Sequence, residues 1–500
     1  MLLLGLLVLV VHDVGYVLTQ PFWNDEAWVA VTTRFPLSQL PAATSSTPIG
    51  WSVLMRLFTV RGQETSRLLP LAFAGAAVVI AYWLGRGLGW RRPEASAAAG
   101  LLAGAAGLLV PAMLLRDDLK QYTADACMAL LVLALTSRLE REWSRPRLVA
   151  LSVAVWGGML FSDAAAFAGA AAFAAVCVIQ LAHRAWRQLA EAAVVGAGTA
   201  AGMLGVYEGF DARAKVPGLT AYWSSYYLPL RKGLHADITF ITSHVRAVDA
   251  YVGLGPAWLA VPLVVAGLVT IFRLGRPATA VTAAALWPVM LAVSALQRYP
   301  FLDRRTSTFL FAVTAVVAAI GLVGVCSLLR PWLKGGLAAG LAALAVLAFV
   351  IHVQPYVRIH LIPNEDVRDQ ARYVATHAVR GDVILVNLSS NWGFAYYWPA
   401  GVPARRADPA VLQGYEAYFP GRPDIVVARD RNPAGVDAAL AQALARARPG
   451  ACSRIWLVRT HLSVAERQAW RAALRQEKLI STPVADDGLS VIHAGGSACR

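Results

Sequence analysis

Long apolar runs separated by short polar connections recur along the chain from the N-terminus to about residue 350 and then stop. With about 17 to 25 residues as one bilayer crossing, the pattern predicts about eleven transmembrane helices. They fall over 2–18, 68–85, 96–114, 121–137, 147–162, 163–182, 192–208, 252–272, 278–296, 307–329 and 335–351. The first run, "MLLLGLLVLVVHDVGYVL", lacks the basic start and small-residue cleavage site of a signal peptide and reads as a retained span. His12 and Asp13, near its end, are assigned no chemistry.

After residue 351 the periodicity changes. A helical stretch, "NEDVRDQARYVATHA", precedes the buried-strand pattern "GDVILVNL". "PDIVVA", "AGVDAALAQALARAR", "SRIWLV" and "SVAERQAWRAALRQE" then alternate strand with helix. The pattern predicts a small α/β domain with a largely parallel sheet over 352–500, following a transmembrane module over 1–351. It carries no GxGxxG fingerprint, and no nucleotide site is expected.

Charge sorts the connections by side. "GRGLGWRRPE", "SRLEREWSRPR", "HRAWRQ", "FRLGR" and "LRPWLK" are short and basic, as cytoplasmic connections are. The alternate set is then extracytoplasmic: the first loop 20–67, "RDDLKQYTAD", the Ser162–Asp163 corner, the aromatic loop 208–251 and "QRYPFLDRRTS". An odd number of spans puts the α/β tail outside as well. Only 15% of residues are charged, against about a quarter in soluble proteins, and 57% are hydrophobic. The net charge of +15 comes without any nucleic-acid-binding motif, so it indicates anionic membrane lipid as partner and no nucleic acid. Of five cysteines, Cys127, Cys177 and Cys326 lie in apolar runs as packing residues. Cys452 and Cys499 can pair if the tail is outside and their geometry allows it.

Every chemically unusual stretch falls on the outer side. In "PFWNDEAW", Asp25 and Glu26 lie between Trp23 and Trp28. Adjacent helical residues point about 100° apart, so one carboxylate can face a site while the other is held by a donor. Partial burial moves such a carboxyl toward the range a general base uses. The alternative is a simple helix start, with Asn24 as cap and acids in the first turn. In "RDDLKQYTAD", Arg116, Lys120 and Thr123 share one helical stripe, while Asp117, Gln121 and Asp125 share another. One face can hold a phosphate and its neighbour hydroxyls; alternatively these charges pair with one another at a helix mouth. Arg304 and Arg305 stand outside, against the positive-inside trend, which calls for a lipid phosphate or an ion pair with Asp303. The aromatics around Trp223 suit either a headgroup belt or stacking on sugar rings. His235 and His244 have no acidic partner at ligand spacing, so no metal is expected there.

The stretches "FWNDEAW", "STPIGWSVLMRLF", "SRLLPLAFAG", "DLKQYTADACMALLVLAL" and "QRYPFLDRRTSTFLF" follow in order along most of the chain. Together they resemble the GT-C superfamily of integral-membrane glycosyltransferases, and within it the bacterial branch related to protein mannosyltransferases and aminoarabinose transferases. "GDVILVNLSSNWGFAYYW" resembles the external domain of uncharacterised bacterial members. The resemblance implies a polytopic α-helical membrane protein of GT-C type with a C-terminal extracytoplasmic α/β domain, in the bacterial plasma membrane. It further implies a sugar donor on a polyprenyl monophosphate and an acceptor (glycan, lipid or protein) approached from outside.

Residue by residue, Asp25 matches the family's first-loop acid, the catalytic base, with Glu26 as supporting acid. Lys120 and Gln121 match the second external loop, where the donor phosphate is faced. With the reading of charges above, Lys120, Arg116, Arg304 and Arg305 are expected on the phosphate. Gln121, Tyr122, Asp118, Trp223 and Tyr299 are expected around sugar or acceptor. Asp118 stands where relatives often carry glutamate, and "TSSTP" is more polar than the common form, which leaves the acceptor open. A monophosphate can be neutralised by side chains, so no cofactor is obligatory; a divalent cation would need Asp25 with Asp117 or Asp118. Two other readings remain: a flippase for lipid-linked sugar, although matching broken-helix halves are not seen, and a non-catalytic envelope scaffold.

Overall fold

The structure, a computed structural model, describes residues 2–43, 47–59, 62–110, 119–214, 217–254, 257–329, 366–398, 405–406, 415–417, 419, 421–447, 453–485 and 488–493. The span expected at 335–351, the pairing of Cys452 with Cys499, and Arg116, Asp117 and Asp118 lie outside these residues.

The first apolar run is not one helix. It forms α1 (Leu2–Val11) and α2 (Val14–Thr19), separated at Asp13, whose backbone is left-handed (φ 41°) and whose side chain accepts from the Tyr16 amide. Aspartate tolerates that backbone and caps the new helix, which is why the break falls there. The following segment, 20–67, holds two longer helices, α3 (Asn24–Thr32) and α4 (Ile49–Thr59), and the single turns Leu40–Ala43 and Gln63–Ser66. The longer helices that follow in this part are α5 (Leu68–Gly87), α6 (Pro93–Leu109), α7 (Tyr122–Arg141), α8 (Arg145–Gly158), α9 (Ala164–Ala182), α10 (Trp186–Gly209), α11 (Leu234–Ala247), α12 (Ala257–Arg273), α13 (Pro277–Ala295) and α14 (Thr308–Leu329).

Among the described residues six helices are long and apolar enough to cross a membrane: those over Gln63–Gly87, Tyr122–Arg141, Ala164–Ala182, Trp186–Ala214, Pro277–Ala295 and Thr308–Leu329. The protein is thus multi-pass, with six of the about eleven expected crossings met by long helices among the described residues. Helices α6, α8 and α12 occupy expected spans with only 17, 14 and 17 residues. At 1.5 Å per residue these cover roughly 21 to 26 Å, short of a ~30 Å hydrocarbon layer.

Helices α7 and α14 are mostly buried inside the protein, whereas α10 lies at the periphery. Lipid gives helices no hydrophobic reason to associate, so contact depends on small residues that let backbones approach. A Cβ built on Gly267 of α12 would stand 2.0 Å from the Val317 carbonyl oxygen of α14, and one on Gly321 of α14 would stand 2.1 Å from that of Leu263. Gly267→Ala or Gly321→Ala is therefore expected to destabilise the helix pair by about 1–3 kcal/mol. Thermal unfolding of the solubilised protein measures it, with Gly205→Ala, which meets nothing within 4 Å, as the control.

The C-terminal part has a five-stranded sheet of β1 (Val383–Val386), β2 (Ile425–Val427), β3 (Arg454–Val458), β4 (Ser481–Ala485) and β5 (Leu489–His493), in the order β2-β1-β3-β5-β4. Strand β1 runs parallel to both neighbours, pairing Ile384 with Ile425 and with Trp456. The β3–β5 and β5–β4 ladders are antiparallel. The sheet is therefore mixed rather than largely parallel, because the chain after the last helix returns as a β4–β5 hairpin. Helices α15 (Val367–His377), α16 (Asn391–Tyr397), α17 (Pro433–Arg446) and α18 (Val464–Gln476) cover it. Alternation along β1 splits its side chains between two cores. Val383 and Leu385 pack with Leu440 and Trp470 on the α17–α18 side. Ile384 and Val386 join a core that also contains Trp392, Phe394, Phe22, Trp28, Trp51 and Met55. That second core runs from the sheet into the segment between α2 and α5, seating the α/β part on α3 and α4.

Candidate active site

Helix α3 organises the site. Trp23, in extended backbone, occupies its cap position, and the Trp23 amide donates to Glu26 Oε2 at 3.4 Å. Asn24 is consequently the first helical residue and not the cap. Both acids lie in the first turn, and the angle between them sends them to different partners. Glu26 is buried and ion-paired with Arg67, whose Nε donates to Oε1 at 2.9 Å and Nη2 to Oε2 at 2.6 Å. Arg67, also fully buried, donates further to the carbonyls of Val17 (2.8 Å), Gln20 (2.5 Å) and Pro21 (3.0 Å). The guanidinium thus ties the end of α2, the start of α3 and the start of α5 together.

Asp25 points the other way, partly exposed, and accepts from Arg305 Nη1 at 2.8 Å. Arg305 is delivered by a loop that Asp303 shapes: Asp303 Oδ2 accepts from the amides of Arg305 and Thr306, both at 3.0 Å. Among the described residues no ion pair joins Asp303 to Arg304 or Arg305, and Oδ2 of Asp303 is taken by those two amides. The Arg305 guanidinium carbon lies 5.9 Å from the Trp23 ring centre and 5.8 Å from that of Trp223, so two indoles flank the charge that meets Asp25. Trp223 is itself packed edge-on by Tyr222 and Tyr226. Arg304 is exposed, and no partner for its side chain occurs among the described residues.

One turn along α3, Trp28 receives Lys120, whose buried Nζ stands 4.3 Å from the ring centre. The Lys120 segment is placed by Trp51, which donates from Nε1 to the Leu119 carbonyl (3.0 Å) and from its amide to the Leu160 carbonyl (2.9 Å). Gly50 permits this approach, since a Cβ there would lie 2.6 Å from the Leu160 oxygen. Gln121, buried ahead of α7, donates to Asp163 Oδ2 at 3.2 Å. Tyr122 opens α7 and is buried. One turn further, Asp125 accepts from Ser162 Oγ (2.7 Å) and the Ala164 amide (3.4 Å). Tyr299 packs edge-on against Phe167 and donates to the Thr306 carbonyl at 3.1 Å. Burial pushes its hydroxyl well above the ordinary phenol range, and the carboxylates of Asp125, Asp163 and Asp303 push it the same way, so it remains a proton donor.

The structure therefore brings Asp25, Arg305, Trp223 and Lys120 around α3, with Gln121, Tyr122 and Tyr299 in the adjoining shell, and sets Glu26 apart in the Arg67 clamp. Among the described residues no group of three or more His, Cys, Asp or Glu could hold a metal ion. Three contributors escape a reading of the sequence: Arg67, Trp51 and the Gln121–Asp163 contact. Only Arg67 left a signal, as an arginine within the otherwise apolar "SRLLPLAFAG".

No family model and no curated protein matches the chain. Solved structures do. ArnT from Cupriavidus metallidurans bound to undecaprenyl phosphate matches over 100% of this chain and 98% of its own, at 14% identity and TM-score 0.59. The apo state of ArnT matches over the same shares at 15% identity and TM-score 0.57. The Archaeoglobus fulgidus oligosaccharyltransferase in complex with Zn and sulfate matches over 100% of this chain and 73% of its own, at 12% identity and TM-score 0.53. Both proteins have the GT-C fold, so the resemblance read from the sequence holds at the level of fold.

Proposed function

We propose that this GT-C-fold protein moves a sugar from a polyprenyl monophosphate to an extracytoplasmic acceptor at the bacterial plasma membrane, by one inverting displacement. The observation that carries this reading is the Asp25–Arg305 pair, flanked by Trp23 and Trp223, with Lys120 seated on Trp28 of the same helix. The bound undecaprenyl phosphate of ArnT supports the lipid-phosphate class.

In the reaction, the acceptor hydroxyl oxygen attacks the anomeric carbon as the bond from that carbon to the phosphate oxygen breaks. Its proton passes to Asp25, and the polyprenyl phosphate leaves carrying the electron pair. Arg305 and Lys120 stabilise the charge developing on the phosphate from fixed positions, which costs little reorganisation at the moment of transfer. Arg305 has a second effect. Donor phosphate competes with Asp25 for the guanidinium, so donor binding frees the carboxylate to act as base, and the pair is closed while the site is empty of donor. Gln121 and Tyr299 supply uncharged hydrogen-bonding groups beside the sugar. Neutralisation by side chains leaves no obligatory cofactor in this scheme. The short basic connections support an outward orientation for the opposite side, and the packing of the α/β part on α3 and α4 puts it on the same side as Asp25.

Arg305→Lys tests the scheme. Lysine keeps the charge and loses the fork that can bridge carboxylate and phosphate. Transfer from a polyprenyl-phosphate sugar is expected to fall on the order of 10²-fold in kcat/KM, with KM for the acceptor unchanged. An unaltered kcat/KM would remove Arg305 from the phosphate.

A further inference from the structure

The α/β part meets α3 at its middle and at both ends. At mid-helix Trp392 of α16 lies against Trp28, with ring centres 6.4 Å apart at 26°. Past the far end of α3, the Arg34 guanidinium carbon stands 4.4 Å from the ring centre of Tyr396, and the same ring packs on Phe22, ahead of the near end, at 4.9 Å. Tyr397, the next residue of α16, adds a polar contact to this seam. Its hydroxyl accepts from the Phe22 amide at 2.6 Å and donates to Gln63 Oε1 at 2.7 Å. Phe22 is 0% exposed, and its amide has no other acceptor among the described residues. Burial holds the Tyr397 hydroxyl above the ordinary phenol range, so it keeps the proton it shares with Gln63.

The stretch ahead of α3 is thereby fastened from two sides. Gln63 Nε2 donates to the Gln20 carbonyl and, at 3.4 Å, to that of Thr19. Arg368 of α15 reaches the Thr19 carbonyl from the α/β part, at 3.2 Å. The Arg67 clamp takes the carbonyls of Gln20 and Pro21 and the Glu26 carboxylate, which leaves the Phe22 amide to Tyr397.

We infer that Tyr397 is a positioning residue for sugar transfer: through the Phe22 amide it fixes where α3 begins, and so where the Asp25 carboxylate stands. The inference rests on the reading of Asp25 as base. Only the extended Trp23 separates Phe22 from Asn24, the first helical residue, and Asp25 follows directly. A shift at Phe22 therefore passes into the first turn with no loop to absorb it. Among the described residues Asp25 has one side-chain partner, Arg305, and in the proposed reaction that contact opens when donor phosphate takes the guanidinium. At the moment of transfer the carboxylate is then placed by its helix alone. Without the Tyr397 hydroxyl the Phe22 amide is left unsatisfied, which drives the backbone toward another acceptor. Misplacement of a reacting group by about 1 Å can cost about 10²-fold in rate.

The test uses the full chain in phospholipid nanodiscs and the variant Tyr397→Phe, which removes the hydroxyl and keeps the ring. Hydrogen exchange read by mass spectrometry should quicken over residues 22–27 and stay unchanged in α17 and α18. Turnover is read as undecaprenyl phosphate released from synthetic undecaprenyl-phosphoryl hexoses and pentoses, with a cell-envelope extract as the source of acceptor. The variant should lose at least about tenfold in kcat, with KM for the donor within about twofold of wild type. Added to Asp25→Asn, the same substitution should cost less than about a further twofold, because no base is left to misplace. Leu440→Ala, in the core on the other face of the sheet, is the control for lost stability. It should lower Tm at least as far as Tyr397→Phe and leave kcat within about twofold of wild type. A wild-type kcat in Tyr397→Phe, the same proportional loss in the Asp25→Asn background, a matching loss in Leu440→Ala, or unchanged exchange over 22–27 would each overturn the inference. Full turnover by Asp25→Asn would instead sink the reading of Asp25 as base, and the exchange measurement then decides the Tyr397–Phe22 contact by itself.

Discussion

Asp25→Asn should lower transfer by about 10²–10⁴-fold while the protein folds, inserts and binds lipid phosphate as before. The amide has nearly the shape of the carboxylate, and its oxygen can still accept from Arg305, so the 2.8 Å contact that holds the arginine survives in weaker form. What the variant lacks is a group able to take the acceptor's proton as the new bond forms. The loss should fall on kcat, with KM for the donor no higher than in wild type, because Arg305, Lys120 and the flanking indoles are intact and the amide competes less for the guanidinium. Steady-state transfer from a synthetic polyprenyl-phosphate sugar measures it. Turnover within a few-fold of wild type would remove Asp25 from proton transfer.

Loss of the Arg67–Glu26 pair should be the largest effect on stability. With side chains 0% and 2% exposed, the pair is shielded from water and salt. Arg67→Met leaves Glu26 buried without its counter-ion and takes a donor from the carbonyls of Val17, Gln20 and Pro21, of which Gln20 keeps Gln63 Nε2, at an expected cost of about 3–5 kcal/mol. The double variant Arg67→Met, Glu26→Met removes the stranded charge together with its partner and should recover a substantial part of that loss. Thermal or denaturant unfolding of the single and double variants measures the coupling. A single variant within 1 kcal/mol of wild type would mean that the clamp contributes little. Activity should fall with the clamp as well, since Arg67 fixes the start of the helix that carries Asp25 and the two tryptophans.

Much of this arrangement was legible in the order of residues, and what escaped has physical causes. Apolar periodicity located the long helices, since a run of twenty apolar residues has few other fates. It overran at the first segment, where a single aspartate with a left-handed backbone splits the helix. At α6, α8 and α12 the helices are shorter than the apolar runs suggested. The 100° step between Asp25 and Glu26 anticipated that the two acids part company, but not their partners. Arg305 is 280 residues away from Asp25 and Arg67 is 41 from Glu26. The sheet is mixed because "STPVADDGLSVIH" joins two strands by a hairpin, whereas Val383–Val386, Ile425–Val427 and Arg454–Val458 are each followed by a helix. The seam between Trp28 and Trp392 joins stretches over 360 positions apart in sequence, each with a sufficient local explanation as an interface aromatic or a core tryptophan.

The most direct measurement is native mass spectrometry of the protein extracted with its own membrane lipid, wild type beside Arg305→Gln with Lys120→Gln. A polyprenyl phosphate, bare or carrying a sugar, should accompany the wild type and be lost from the double variant. Absence of any polyprenyl phosphate from the wild type, or its equal retention by the variant, would contradict the assignment of these side chains to a lipid-phosphate donor.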